Sequence, residues 1–120
     1  LIDFLTYIYQ QLSTCSDRLF LELAPQGTLF PYVTYNVPTS LYGENREDFI
    51  LEVDVWGNDT NTFDIEVMTD NIDRLLNKSK MLDSNIQVSI YRINRMMIPD
   101  EDENVRRRQL RYQCKTYFRN

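Results

Sequence analysis

No histidine occurs among the 120 residues, and that absence excludes more chemistry than any other feature of the chain. Histidine is the commonest general base, the commonest metal ligand and the side chain that titrates near neutral pH. Most hydrolase and zinc-site readings end there. Glycine is scarce as well: three residues are too few and too scattered to cradle a phosphate, and neither GxGxxG nor a Walker sequence occurs. The two cysteines, Cys15 and Cys114, stand 99 positions apart without a CxxC spacing, so they suggest neither a zinc cluster nor a redox pair. Both are expected as free thiols packed as small hydrophobes. No apolar run approaches the roughly 20 residues of a membrane span, and no basic-then-apolar signal pattern opens the chain. A soluble protein without membrane contact is expected. The sequence opens at Leu1 inside a helical pattern, and a few residues are expected to precede it.

What is present suffices for one core. Hydrophobic residues make up 42% of the chain, which excludes disorder as its main description, and the length fits one α+β domain over residues 1–120. The net charge of −5 conceals a division. Residues 1–104 carry seven Lys or Arg against all eighteen acids, giving −11, whereas residues 105–120 carry six basic residues and no acid, giving +6. An acidic body thus ends in a basic strip.

Leu1, Leu5, Ile8 and Leu12 recur at helical spacing with Phe4 and Tyr9 widening the stripe, which predicts a helix over about residues 1–14. Arg18 to Leu23 reads as a short strand or extended segment before the Pro25-Gln26-Gly27 turn. Pro31 to Val37 is dense in β-branched and aromatic residues and is expected to end at Pro38, which lacks an N–H. Residues 39–46 then read as a loop. Phe49, Leu51, Val53 and Val55 alternate with Glu52 and Asp54, the pattern of a strand packed on one face only. Trp56 to Asp59 closes it, Asn61 is the expected N-cap, and Ile65, Met68, Ile72, Leu75 and Leu76 mark a helix over about 62–77. Ile86 to Pro99 and Val105 to Phe118 read as an antiparallel pair around Asp100 to Asn104. The order α-β-β-β-α-β-β predicts an α+β fold: a mainly antiparallel sheet of about five strands with two helices packed on it.

Nothing in this pattern assembles a catalytic site. Lys78 and Lys80 flank Ser79, but a basic tract after a helix suits the helix dipole and needs no other role. Asp100, Glu101, Asp102 and Glu103 lack the spaced ligands and central glycine of a calcium loop and read as a solvated hairpin tip. No metal and no cofactor is expected, and the chain is not expected to be an enzyme. Arg107, Arg111, Lys115 and Arg119 recur every fourth residue, about 13 to 14 Å apart along one face of a strand. Three partners fit this strip: Glu52 and Asp54 of the same sheet, the acidic body of another copy, or nucleic acid in transit without sequence preference. Met96-Met97-Ile98 is apolar on both faces, which suits either a buried strand end or cover by a second chain.

In sequence order, an amphipathic first helix, APQGTLFPYVTYNV (24–37), FILEVDVWGNDTNTFDIEVMTDNIDRLL (49–76) and two long closing strands resemble the tail completion, or tail terminator, proteins of long-tailed bacteriophages, in particular their tail-to-head joining members. In that family a P-Y-V strand follows the first turn, a V-D-V-W strand runs into a helix of this length, and a hairpin ends the chain. The resemblance implies a structural virion protein that assembles in the host cytoplasm. It would form a ring, usually a hexamer, on the last ring of the tail tube protein and dock to the head connector or head completion protein. Phage DNA would pass through the channel without specific binding. The implied working surfaces are the subunit interface, the ring faces and the lumen. Arg107, Arg111, Lys115, Arg119, Met96, Met97 and the Asp100–Glu103 tip are then candidates for the ring interface, and Leu41, Tyr42, Glu44 and Arg46 for a docking or lumen loop. The 39–46 loop is short for that task, and a basic strip differs from the negative channels of phage tubes, which favours the strip at an interface between subunits or rings. A small cytoplasmic homo-oligomeric module, using the sheet as a platform for a partner or ligand, is the competing reading.

Overall fold

The structure, a computed structural model, describes residues 1–118. Its elements run α1 (Ile2–Leu12), β1 (Leu19–Leu21), β2 (Tyr32–Gly43), β3 (Arg46–Asn58), α2 (Thr62–Leu76), β4 (Lys80–Leu82), β5 (Ile86–Met97) and β6 (Val105–Phe118). The fold is α+β, as the pattern predicts, with the three-residue β4 added as a sixth strand. The sheet has the order β1-β2-β3-β6-β5-β4, and among the described residues only the β1–β2 pair is parallel.

The two helices cover one face. On β3, Phe49, Leu51, Val53 and Val55 are buried beneath them, and on β6 Leu110, Tyr112, Cys114 and Thr116 are buried on the same side. Helix α1 contributes Phe4, Ile8 and Leu12, with the Phe4 ring stacked on Phe49 at a centroid distance of 5.0 Å. The stripe is narrower than its sequence implies: Leu1 and Tyr9 are exposed, and the contact centres on the 4-8-12 row with Leu5 and Tyr7 half-buried beside it. Both cysteines are free; Cys114 is buried and Cys15 half-buried.

The strand end at Pro38 and the loop after it need correction. Residues 39–46 are not a loop: β2 continues through Pro38 to Gly43, and the chain reverses at Glu44-Asn45 directly into β3. Pro38 is tolerated because β1 pairs only with Val33 to Tyr35, so the proline lies where β2 is an outer edge, inside the irregularity between Asn36 and Thr39. Asn61 occupies the N-cap position of α2 as expected, but its side chain makes no cap bond; its Oδ1 instead accepts the Asn58 N–H at 2.6 Å and closes the turn after β3.

Proportions follow from element length. Thirteen or fourteen residues of strand span about 45 Å, whereas 11 or 15 residues of helix span roughly 17 to 23 Å. The molecule is accordingly elongated, 48 × 25 × 23 Å, with the β2–β3 and β5–β6 hairpins reaching past the helices at opposite ends.

Candidate assembly surface

The second face of the sheet carries the basic strip, and its first partners are the acids of β3. Arg107 Nε donates to Asp54 Oδ1 at 2.9 Å, and Gln109 Nε2 donates to the same oxygen at 3.1 Å. Arg111 Nε lies 3.2 Å from Glu52 Oε2. Antiparallel register sets these contacts, since Glu52 faces Arg111 and Asp48 faces Lys115 across the β3–β6 ladder. Lys115 Nζ lies 5.5 Å from the centre of the Tyr91 ring. The strip is thus engaged within its own sheet at Arg107 and Arg111, the first of the three partners that its sequence allows. Arg119 lies outside the described residues.

Arg46, expected in a loop, is the first residue of β3 and grips Asp48 with two bonds, Nε to Oδ1 at 2.6 Å and Nη2 to Oδ2 at 2.7 Å. That fork, together with Gln113 donating at 3.0 Å, holds the Asp48 carboxyl below the usual carboxylate range despite its burial. At the other end of the same face, aromatic rings accumulate. Phe30 stacks on Tyr32 at 5.5 Å, Tyr32 on Trp56 at 5.9 Å, and the Arg107 guanidinium lies 4.5 Å from the Trp56 ring centre. Trp56 Nε1 donates to Thr34 Oγ1 at 3.0 Å. No local pattern in the sequence marks this ladder, because the pairing of Tyr32 with Trp56 depends on the β2–β3 register.

Beneath the helices a second set of charges fixes α2. Arg95 bridges Asp70 at 2.5 Å and Glu66 at 3.0 Å, Arg108 also bonds Glu66, and Arg92 reaches Asp73 at 2.9 Å. Tyr112 donates its hydroxyl to Asp73 Oδ1 at 2.9 Å; burial first, and then the adjacent carboxylate, push the phenol well above its ordinary range. These partners were not read from the sequence. Glu66, Asp70 and Asp73 do share the i, i+4 and i+7 spacing of one helical face.

Both hairpin ends are uncovered. Leu41 and Tyr42 are exposed on the outer part of β2, and Met96 and Met97 on the outer part of β5, so the methionine run is not a buried strand end. Glu44 sits in the turn between β2 and β3. The acidic tip folds on itself: Asp100 accepts the Asp102 N–H, Asp102 accepts the Asn104 N–H, both at 2.9 Å, and the Glu103 carbonyl accepts from Arg106. Beside it, Met97, Ile98, Pro99 and Val105 line a shallow groove of about 280 Å³. Among the described residues no cluster of three or more His, Cys, Asp or Glu is placed to hold a metal, and no helix is long and apolar enough to cross a membrane. Ser79, between the two lysines, donates to the Leu76 carbonyl at 2.6 Å and helps to end α2.

No protein-family model matches the chain, and no curated protein matches it. Solved structures do. One, described as "Virion of native gene transfer agent (GTA) particle", contains a chain that superposes with a TM-score of 0.69 at 14% identity, over 92% of this chain and 91% of that one. The two chains share a fold over nearly their whole lengths.

Proposed function

We propose that this chain is a structural virion protein of a tailed bacteriophage, a tail completion or head-tail joining subunit without enzymatic activity. Copies form a ring, a hexamer as the resemblance to tail completion proteins implies, at the top of the tail tube. There the ring meets the tube protein below and the head connector or head completion protein above, while phage DNA passes through. Assembly takes place in the host cytoplasm and the product resides in the virion. The observation that carries this reading is the near-complete superposition on a chain of a gene transfer agent virion. It agrees with the likeness of residues 24–37 and 49–76 to tail completion proteins. The uncovered hairpin ends, with Leu41 and Tyr42 at one and Met96 and Met97 at the other, supply surfaces for a neighbour.

Electron microscopy of particles made without this protein tests the proposal. Overlong tubes indicate a terminator, and tubes of normal length that fail to join heads indicate a joining protein. Complete infectious particles would refute both. Reversing the charge of Arg107 and Arg111 is not a clean test of assembly, because each would then oppose Asp54 or Glu52 in its own sheet.

A further inference from the structure

The sheet is sheared by one strand. Its register runs straight across, so that Leu19, Val33, Val55, Arg108 and Met97 form one row, while Tyr42, Glu47, Thr116, Val88 and Met81 form another. Both rows are five strands wide. The first begins on β1 and ends on β5, whereas the second begins on β2 and ends on β4. Each side edge is therefore a step made of two strands, and the step on one side has the shape needed to receive the step on the other.

The backbone of the recessed strand in each step is open, whereas on β1 the Leu21 carbonyl already accepts the Leu23 N–H at 2.8 Å. On β5, residues 77–79 occupy the outer side as far as Arg92, with Lys78 N–H donating to the Ile90 carbonyl at 2.8 Å and Asn77 Oδ1 accepting the Arg92 N–H at 2.9 Å. Among the described residues no strand lies beyond that point. On β2, the last outer bond is donated by Glu22 N–H to the Tyr35 carbonyl at 2.9 Å. Pro38 and the irregularity between Arg92 and Asn94 lie near where the neighbours stop. Further along, the edges carry exposed apolar side chains beside the few guards, Pro38 on β2 and Lys80 on β4, that such strands usually use. Leu21 is 48% exposed, Leu41 68%, Leu82 66% and Met97 69%. Apolar side chains thus mark all four edge strands.

We propose that β5 and β4 of one copy pair, edge to edge, with β1 and β2 of the next copy, and this deepens the ring reading on which it rests. The occupant is a second copy because one chain supplies both halves at matching heights. Residues 95–97 stand level with Leu19–Leu21, and Lys80–Leu82 level with 41–43. β5 runs opposite to β2 and so to β1, which makes the β5–β1 contact antiparallel, whereas β4 runs the same way as β2 and that contact is parallel. Because the two edges differ, the contact is head-to-tail, and it closes into a ring when the rotation closes. A sheared sheet is also the form that closes with tilted strands.

Two paired variants test this in sedimentation velocity of the full chain over a wide concentration range. M97K/L82K spoils one edge and L21K/L41K the other. Each alone should self-associate at least about a hundredfold more weakly than the native chain, having lost two apolar side chains from every contact. An equimolar mixture should form dimers and nothing larger, since one good edge remains on each partner. Serine pairs at the same positions replace any lysine pair that lowers the melting temperature. The proposal is overturned by a native chain that stays monomeric at every concentration, by variants that associate like the native chain, or by a single variant that dimerises alone. Tail-tube capping, viewed separately, distinguishes the two failures: edge variants that cap tubes normally sink the edge contact and leave the ring standing. A native chain that leaves tube ends bare sinks the ring.

Discussion

Gly57→Ala isolates a contact on which the placement of α2 depends. Gly57 is buried on β3, and a methyl group built there would meet Asn61 Oδ1 and Ile65 Cγ2, both at 2.5 Å. Ordinary contacts between nonbonded carbons are about 3.5 to 4.0 Å, so the added atom is about 1 Å too close on two sides. Neither neighbour yields freely. Asn61 Oδ1 holds the Asn58 N–H, and Ile65 is fully buried in the first turns of a helix that Glu66 ties to Arg95 and Arg108. Overpacking of this kind costs about 1 to 3 kcal/mol, and a weakened Asn58–Asn61 bond adds about 1 kcal/mol. The lower entropy of the unfolded alanine chain offsets about 0.4 to 1 kcal/mol. The net expectation is a loss of about 2 kcal/mol, which lowers the melting temperature by about 8 °C for a chain of this length. Gly43→Ala is the control: its nearest contact is 3.7 Å, to the Arg46 carbonyl, and its stability should stay within about 0.5 kcal/mol of native. Differential scanning calorimetry decides. A Gly57→Ala chain as stable as the native one would show that the start of α2 moves aside and that this close approach is not a constraint.

Other substitutions address the charge networks. Tyr112→Phe removes the hydroxyl bonded to Asp73 but leaves Arg92 on that carboxylate, so urea unfolding should report a loss of about 1.5 kcal/mol; no change would mean that the bond is not formed in solution. Arg107→Ala strips Asp54 of its ion pair and Trp56 of its cation, leaving Gln109 as the acid's side-chain donor. It should cost about 2 to 3 kcal/mol, whereas Lys115→Ala, which loses a long contact with the Tyr91 ring, should cost under about 1 kcal/mol; equal losses would contradict the internal pairing of the strip. The depressed carboxyl of Asp48 contributes stability that is fully present above the ordinary aspartate value, about pH 4, and is lost as the pH falls through its lower folded value. Asp48→Asn should therefore flatten the acid limb of the stability curve below about pH 4, and an unchanged limb would show that Arg46 does not hold the carboxylate.

The alternation in 49–55 and 110–116 was legible because helices cover only one face of those strands, so burial writes itself into every second residue. The period of α1 was legible too, but not the width of its contact. Position within the sheet was not. Pro38 looks like a terminator only if a partner strand needs its N–H, and no residue near it reveals that β1 has already stopped. β4 is three residues long, too short to carry a period. The acids of β3 and the bases of β6 were both visible, as was the possibility that they meet. Which acid meets which base follows from a register fixed by the whole ladder.

That register also changes what the charge division means. A chain with −11 in its first 104 residues and +6 in its last 16 invites the idea of copies joined by opposite charges. Yet Arg107 and Arg111 pair with Asp54 and Glu52, Arg108 bonds Glu66, and Arg106 lies on the Glu103 carbonyl, so most of the basic strand is engaged within its own chain. Pairs already made gain little by meeting a second copy, because a new partner must displace an old one at similar distance. The uncompensated features are of another kind: apolar side chains on two sheet edges and the open backbone beside them. In the proposed contact, attraction would come from removing apolar surface from water and completing hydrogen bonds, which salt screens far less than it screens exposed charges. In this fold the basic strand fixes the sheet, and in the proposed assembly it is the sheet edges that bring copies together.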